Sequence, residues 1–140
     1  MADAQLIAGL RIDDPSQTHA HVRERLNELR KNEQRRYVDK ILALSRESDQ
    51  WEVRATAAHM LEAVVDIDQQ LITVDVIDEL AHDLEFSVRS SAAVMLYLIA
   101  LSSPGLVPID LLAHLAKPST RRLVRLRARP QCAEGTRVDA

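Results

Sequence analysis

Cysteine occurs once in these 140 residues, glycine three times, phenylalanine once, tryptophan once and tyrosine twice. The lone Cys132 rules out an intrachain disulfide framework and any cysteine-based zinc site. So few glycines and β-forming aromatics argue against a β-sandwich, which needs many tight turns. No apolar run reaches the length of a bilayer crossing, and no basic stretch followed by an apolar one opens the chain. A soluble, cytoplasmic protein without membrane contact is therefore expected. The chain also lacks a P-loop, a glycine-rich dinucleotide turn and a serine-nucleophile motif. No catalytic residue, metal or cofactor is expected.

The histidines and acids do not alter that reading. His19 and His21 are two residues apart, so on a helix they point in different directions and do not share a metal. His59, His82 and His114 stand apart from one another at helical spacing and read as surface or boundary residues. Asp66 and Asp68 lack the glycine and terminal glutamate of a calcium loop and read as an interhelix turn.

What the chain has in plenty is apolar and charged residues: 46% hydrophobic and 28% charged, enough for one domain with its own core. The net charge of −3 is unevenly spread. Residues 1–48 hold nine Lys/Arg and eight Asp/Glu, residues 49–116 hold two and eleven, and residues 117–140 hold seven and two. An acidic middle followed by a basic tail suggests polarity in what the chain binds, or self-association between unlike ends.

The chain also repeats itself. "WEVRATAAHML" begins at Trp51 and "FSVRSSAAVML" at Phe86, an offset of 35 residues. The same offset matches "VDVIDELA" from Val74 with "IDLLAHLA" from Ile109, and "VDKILALS" from Val38 lies 36 residues upstream. A period of this size signals stacked supersecondary units. Each unit reads as two helices. Val53, Ala57, Leu61 and Val64 form a stripe in steps of three and four, and Val88, Ala92, Leu96 and Ile99 repeat it. Alanine pairs at 57–58 and 92–93 permit close helix packing. Second helices are predicted over 73–82 and 108–116, with Thr73 as an N-cap and Pro108 in the first turn. "SSPG" at 102–105 is the turn, with Gly105 available for a left-handed helix end. Upstream, Pro15 starts a helix carrying Val22, Leu26 and Leu29, and a helix over 33–47 turns Val38, Ile41 and Leu44 inward. Trp51 reads as a packing residue because Phe86 takes its place in the next copy.

These residues resemble the first-helix signature of HEAT repeats, especially the short bacterial kind related to the phycobilisome-lyase group. The resemblance rests on Asp49, Val53, Arg54, Ala57, Ala58 and Leu61, and on Val88, Arg89, Ala92, Ala93 and Leu96, with the second acid displaced to Asp83. It covers about residues 16–125. It implies an all-α, right-handed α-solenoid of about two and a half to three helical hairpins. The implied organisation is a capping segment (1–15), a degenerate first repeat (16–48), two HEAT-like repeats (49–83 and 84–117) and an incomplete repeat with a basic, disordered tail (118–140). It also implies that the Val-Arg arginines are structural, with Asp49 and Asp83 as candidate partners. Second helices line the concave side in such arrays, which nominates Arg35, Lys40, Asp78, Glu79, His82 and His114 as groove residues.

The tail begins like a third signature at Val124-Arg125, lacks the alanine pair and meets Pro130. Either this end docks on something, such as a second copy through an open apolar end, or the chain is a shortened relative of a longer array. The expected function is non-catalytic: a scaffold or adaptor binding another protein. Two alternatives stand beside it. One is a nucleic-acid binder using the basic segment with Arg121, Arg122 and Arg125. The other is an accessory subunit of a lyase-type complex, which would bind a bilin.

Overall fold

The computed structural model describes residues 15–115, and these form six α-helices packed on one another. They are α1 (Pro15–Glu28), α2 (Lys31–Glu47), α3 (Trp51–Ile67), α4 (Val74–Ala81), α5 (Phe86–Ser102) and α6 (Ile109–Leu115). Short 3-10 turns span Gln69–Leu71 and Pro104–Leu106. Among the described residues there is no strand, and no helix is long and apolar enough to cross a membrane. The expected cap ahead of Pro15 and the 118–140 segment, with Arg121, Arg122 and Arg125, lie outside the described residues.

Helices form where the apolar stripes fall. Ala57, Leu61, Val64, Val88, Ala92, Leu96 and Ile99 are all buried, as are Val22, Leu26, Val38 and Ile41. Val53 is only half-buried although Val88 is fully so. Burying one such aliphatic side chain is worth about 1.5–3 kcal/mol. The buried residues form one contiguous core running from Val22 in α1 to Leu111 in α6.

The 35-residue period recurs in the backbone. Helices α3 and α5 are both 17 residues long and start 35 positions apart. At their starts, Val53 N and Arg54 N donate to Gln50 O, and Val88 N and Arg89 N donate to Glu85 O. At their ends, Asp68 N donates to Val64 O (2.8 Å) and Ser103 N to Ile99 O (2.6 Å). The 3-10 turns match as well: Ile72 N donates to Gln69 O and Val107 N to Pro104 O, both at 3.3 Å. These bonds satisfy groups that helix ends otherwise leave without partners.

Two local expectations fail. Thr73 occupies the N-cap of α4 but its side chain makes no capping bond. Gly105 adopts no left-handed conformation, and a Cβ added there would meet open space. The chain leaves α5 through Ser103, at φ −144° and ψ 66°, and then through the 3-10 turn, so no residue needs the freedom of glycine.

Helix α3 is central, packing against α1, α2 and α5, while α4 packs against α2, α5 and α6. Helix α1 departs from the regular pattern. Its start lies by the end of α3, where His19 Nε2 is 2.8 Å from Asp66 Oδ2. Its end joins the start of α2, where Gln34 Nε2 donates to Leu26 O at 2.8 Å. The start of α2 also lies near the end of α3, since Arg35 Nη1 donates to Leu71 O at 3.0 Å. Both ends of α1 are thus tied to neighbouring helices, and α1 packs directly on α3.

Candidate interaction surfaces

The duplicated Val-Arg motif builds the junction between units. Arg54 forms a two-pronged contact with Asp83, Nε to Oδ2 at 3.1 Å and Nη2 to Oδ1 at 3.3 Å, and its Nη1 donates to Ser48 O at 2.9 Å. Asp83 Oδ1 also accepts from Glu85 N at 2.8 Å, which holds the start of α5. A planar guanidinium suits this geometry because it offers parallel donors to a carboxylate. Both side chains are largely shielded, at 16% and 13% exposure.

Asp49 is exposed and takes no part in this junction. The position equivalent to Asp83 in the earlier unit is Ser48, whose Oγ accepts from Gln50 N at 3.2 Å as Asp83 accepts from Glu85 N. The acid therefore has a serine counterpart, and Asp49 matches Leu84. Arg89 repeats only part of the pattern. Its Nη1 donates to Asp83 O (2.9 Å) and Leu84 O (2.8 Å), and its guanidinium sits 5.7 Å from the centroid of Phe86.

The nominated groove residues lie on α2, α4 and α6. Lys40 is exposed. Glu79 accepts from Arg46 Nη1 at 3.0 Å. His82 Nδ1 lies 2.8 Å from Asp78 O and 3.5 Å from Asp78 Oδ1. Contrary to expectation, His82 and His114 are not separate: their rings stack at 4.1 Å with 15° between planes. His114 Nε2 is also 2.8 Å from Ala81 O, so the two histidines tie α6 to α4. Arg35, bonded to Leu71 O, is partly structural.

A second surface had no sequence signal. Helices α1, α3 and α5 enclose a groove of about 190 Å³ lined by His19, His59, Glu62, Ala63, Asp66, Val94 and Leu98. His59 is 6% exposed, not a surface residue, and its Nδ1 lies 3.4 Å from Glu62 Oε2. Ser91 Oγ donates to the same Glu62 oxygen at 2.5 Å. The hydroxyl proton therefore goes to a carboxylate, which does not activate the serine as an imidazole base would. Among the described residues, no three His, Cys, Asp or Glu side chains are grouped to hold a metal ion.

Trp51 is 40% exposed, which overturns its expected packing role. Its counterpart Phe86 is half-buried beneath Arg89. Leu84, Leu101, Leu106 and Ile109 are 95%, 67%, 60% and 81% exposed. In the core, Tyr37 is 6% exposed and its hydroxyl has no hydrogen-bond partner. Burial pushes its phenol up to about 12, against a smaller opposing pull from Arg25.

No protein-family model, no curated protein and no solved structure matches this chain.

Proposed function

We propose that this chain is a non-catalytic scaffold of the HEAT-like kind, a short right-handed α-solenoid that binds another protein through its helical surface. The observation that carries this reading is the return of one helix–turn–helix unit after 35 residues, with its end bonds, 3-10 turn and arginine anchor in the same places. A stacked array of this kind presents a continuous surface of side chains that no single helix pair could offer. The α2, α4 and α6 ridge supplies alternating charge through Lys40, Arg46, Asp78 and Glu79, suited to a polar, mixed-charge protein surface.

Nucleic acid fits the two repeats of the described body poorly. Residues 49–115 hold two arginines against eleven acids, and both arginines are engaged within the protein. Phosphate binding needs the opposite balance.

Affinity purification from the native host tests the proposal. Wild-type protein is compared with the ridge variant Lys40→Glu/Asp78→Lys at matched helicity. The scaffold reading expects a protein partner held by the wild type and lost from the variant. Equal recovery from both would remove the ridge from the account, and substrate turnover by the purified chain would end the non-catalytic reading.

A further inference from the structure

One edge of the described body presents apolar side chains to solvent. Leu84 is 95% exposed in the link from α4 to α5, and Trp51 is 40% exposed at the start of α3. The repeat shows why each stands open. Leu84 takes the place that Asp49 has in the earlier unit, so a water-facing link position holds an apolar residue. Phe86, the counterpart of Trp51, lies beneath its own arginine, Arg89. The arginine one turn on from Trp51 is Arg54, and it is committed to Asp83 and to Ser48 O. Because Asp83 directly precedes Leu84, that ion pair also brings Trp51 and Leu84 to one junction. The charge around them has one sign. Glu47, Asp49 and Glu52 are exposed, and among the described residues none of their side chains makes an ion pair or hydrogen bond. The arginines nearest in sequence are all engaged: Arg46 with Glu79, Arg54 with Asp83, and Arg89 with two carbonyls and the Phe86 ring.

We propose that the Trp51–Leu84 edge docks a basic segment of a partner protein with an apolar centre. Aliphatic or aromatic side chains of that segment pack on Trp51 and Leu84, and lysines or arginines on either side reach Glu47, Asp49 and Glu52. A single exposed leucine needs no explanation. A leucine and a tryptophan at one junction, set among unpaired acids, form an anchor with its own selectivity, since tryptophan is enriched where binding energy concentrates. Charge selects the occupant. A nucleic acid or an anionic membrane would bring phosphates against three carboxylates, and an acidic segment would be repelled in the same way. A neutral apolar segment would strip water from those acids without replacing it. The edge lies apart from the ridge of α2, α4 and α6. The proposal rests on the reading of the chain as a protein-binding scaffold and adds to it the chemistry of one partner.

Trp51 is the sole tryptophan, so its emission reports occupancy of the edge directly. The full chain is titrated with the acetylated peptide Lys-Lys-Leu-Phe-Lys-Lys. The controls are Glu-Glu-Leu-Phe-Glu-Glu, which reverses the charge, and Lys-Lys-Gly-Gly-Lys-Lys, which lacks the apolar centre. The expected result is a saturable blue shift with the first peptide alone, weakened severalfold as salt rises from about 50 to about 300 mM. Leu84→Ser and Asp49→Lys/Glu52→Lys should each weaken binding severalfold at matched helicity, because all three positions are exposed and their loss does not disturb the core. The ridge variant Lys40→Glu/Asp78→Lys should bind the peptide as the wild type does, so a failure of this edge and a failure of the ridge are read separately. No saturable shift, equal shifts with the lysine and glutamate peptides, or unchanged binding by Leu84→Ser would overturn the proposal. A red shift on diluting the protein alone would show a second copy seated on this edge and overturn it as well.

Discussion

Removing the Asp83 carboxylate should cost far more than removing the Asp49 carboxylate, although the two acids occupy similar places in the sequence. Asp83→Ala severs two bonds from Arg54 and one from Glu85 N. Hydrogen bonds to a charged group are worth about 1.5–3 kcal/mol, and a lost N-terminal acceptor adds about 1 kcal/mol. Residual exposure of 16% and 13% at the pair screens part of this. The net expectation is a loss of about 2–3 kcal/mol. Asp83→Asn keeps an acceptor for Glu85 N and should lose about half as much. Exposed Asp49→Ala should lie within about 0.5 kcal/mol of wild type. A double-mutant cycle of Arg54→Met with Asp83→Ala isolates the pair and should give a coupling of about 1–2 kcal/mol. Urea unfolding followed by circular dichroism supplies all four stabilities. A coupling near zero, or equal losses for Asp49→Ala and Asp83→Ala, would refute the assignment of Asp83 as the junction acid.

Three further outcomes follow from the same packing. Tyr37→Phe deletes a buried hydroxyl without a partner and should stabilise the fold by about 1 kcal/mol in thermal or urea unfolding. The raised Tyr37 pKa gives this a pH signature. The unfolded chain releases the phenolic proton from about pH 10 and the folded chain only near 12, so that part of stability is complete below 10 and declines between the two. Tyr37→Phe should flatten the decline, and an unchanged slope would count against burial as its cause. Ala92→Leu forces extra methylenes into a fully buried site on α5 and should lower stability by about 1–3 kcal/mol in urea unfolding. His82→Ala removes the stack on His114 and should speed hydrogen exchange in α6 more than in α3, because that pair ties α6 to α4.

Much of the helical layout was legible because it depends on local periodicity. Stripes such as Val88, Ala92, Leu96 and Ile99 mark a buried face wherever the helix packs, and the helix starting at Pro15 follows from the same reasoning. Boundaries shifted by a residue or two: α2 begins at Lys31 where 33 was expected, and α4 spans Val74–Ala81 where 73–82 was expected. Helix ends depend on single bonds, such as Arg30 N to Glu33 Oε1, that periodicity does not register. Arg54 was recognisable as structural, but the sequence left both Asp49 and Asp83 as candidate partners, and the structure pairs it with Asp83. Asp49 misled because a motif aligns acids by chain position, while the junction aligns Ser48 with Asp83 by the backbone group each one holds.

Contacts across units were the least legible part. The His82–His114 stack joins residues 32 positions apart, off the 35-residue register. His59 lines a groove with residues of α1, α3 and α5, so its burial depends on tertiary packing that helical spacing does not register. Trp51 was assigned to packing on the strength of its equivalence with Phe86. Equivalent backbone positions need not have equivalent neighbours, and Phe86 is shielded by Arg89.

The central claim is that residues 51–85 are one complete repeating unit. Inserting a second copy of that segment after Glu85 tests it most directly, since every junction of the original chain keeps a counterpart. Circular dichroism and urea unfolding of the lengthened chain should show helical signal increased by one unit, a single transition and a steeper denaturant slope, because more surface is buried in one cooperative array. An added segment that stays unfolded, or unfolds in a transition of its own, would contradict the account.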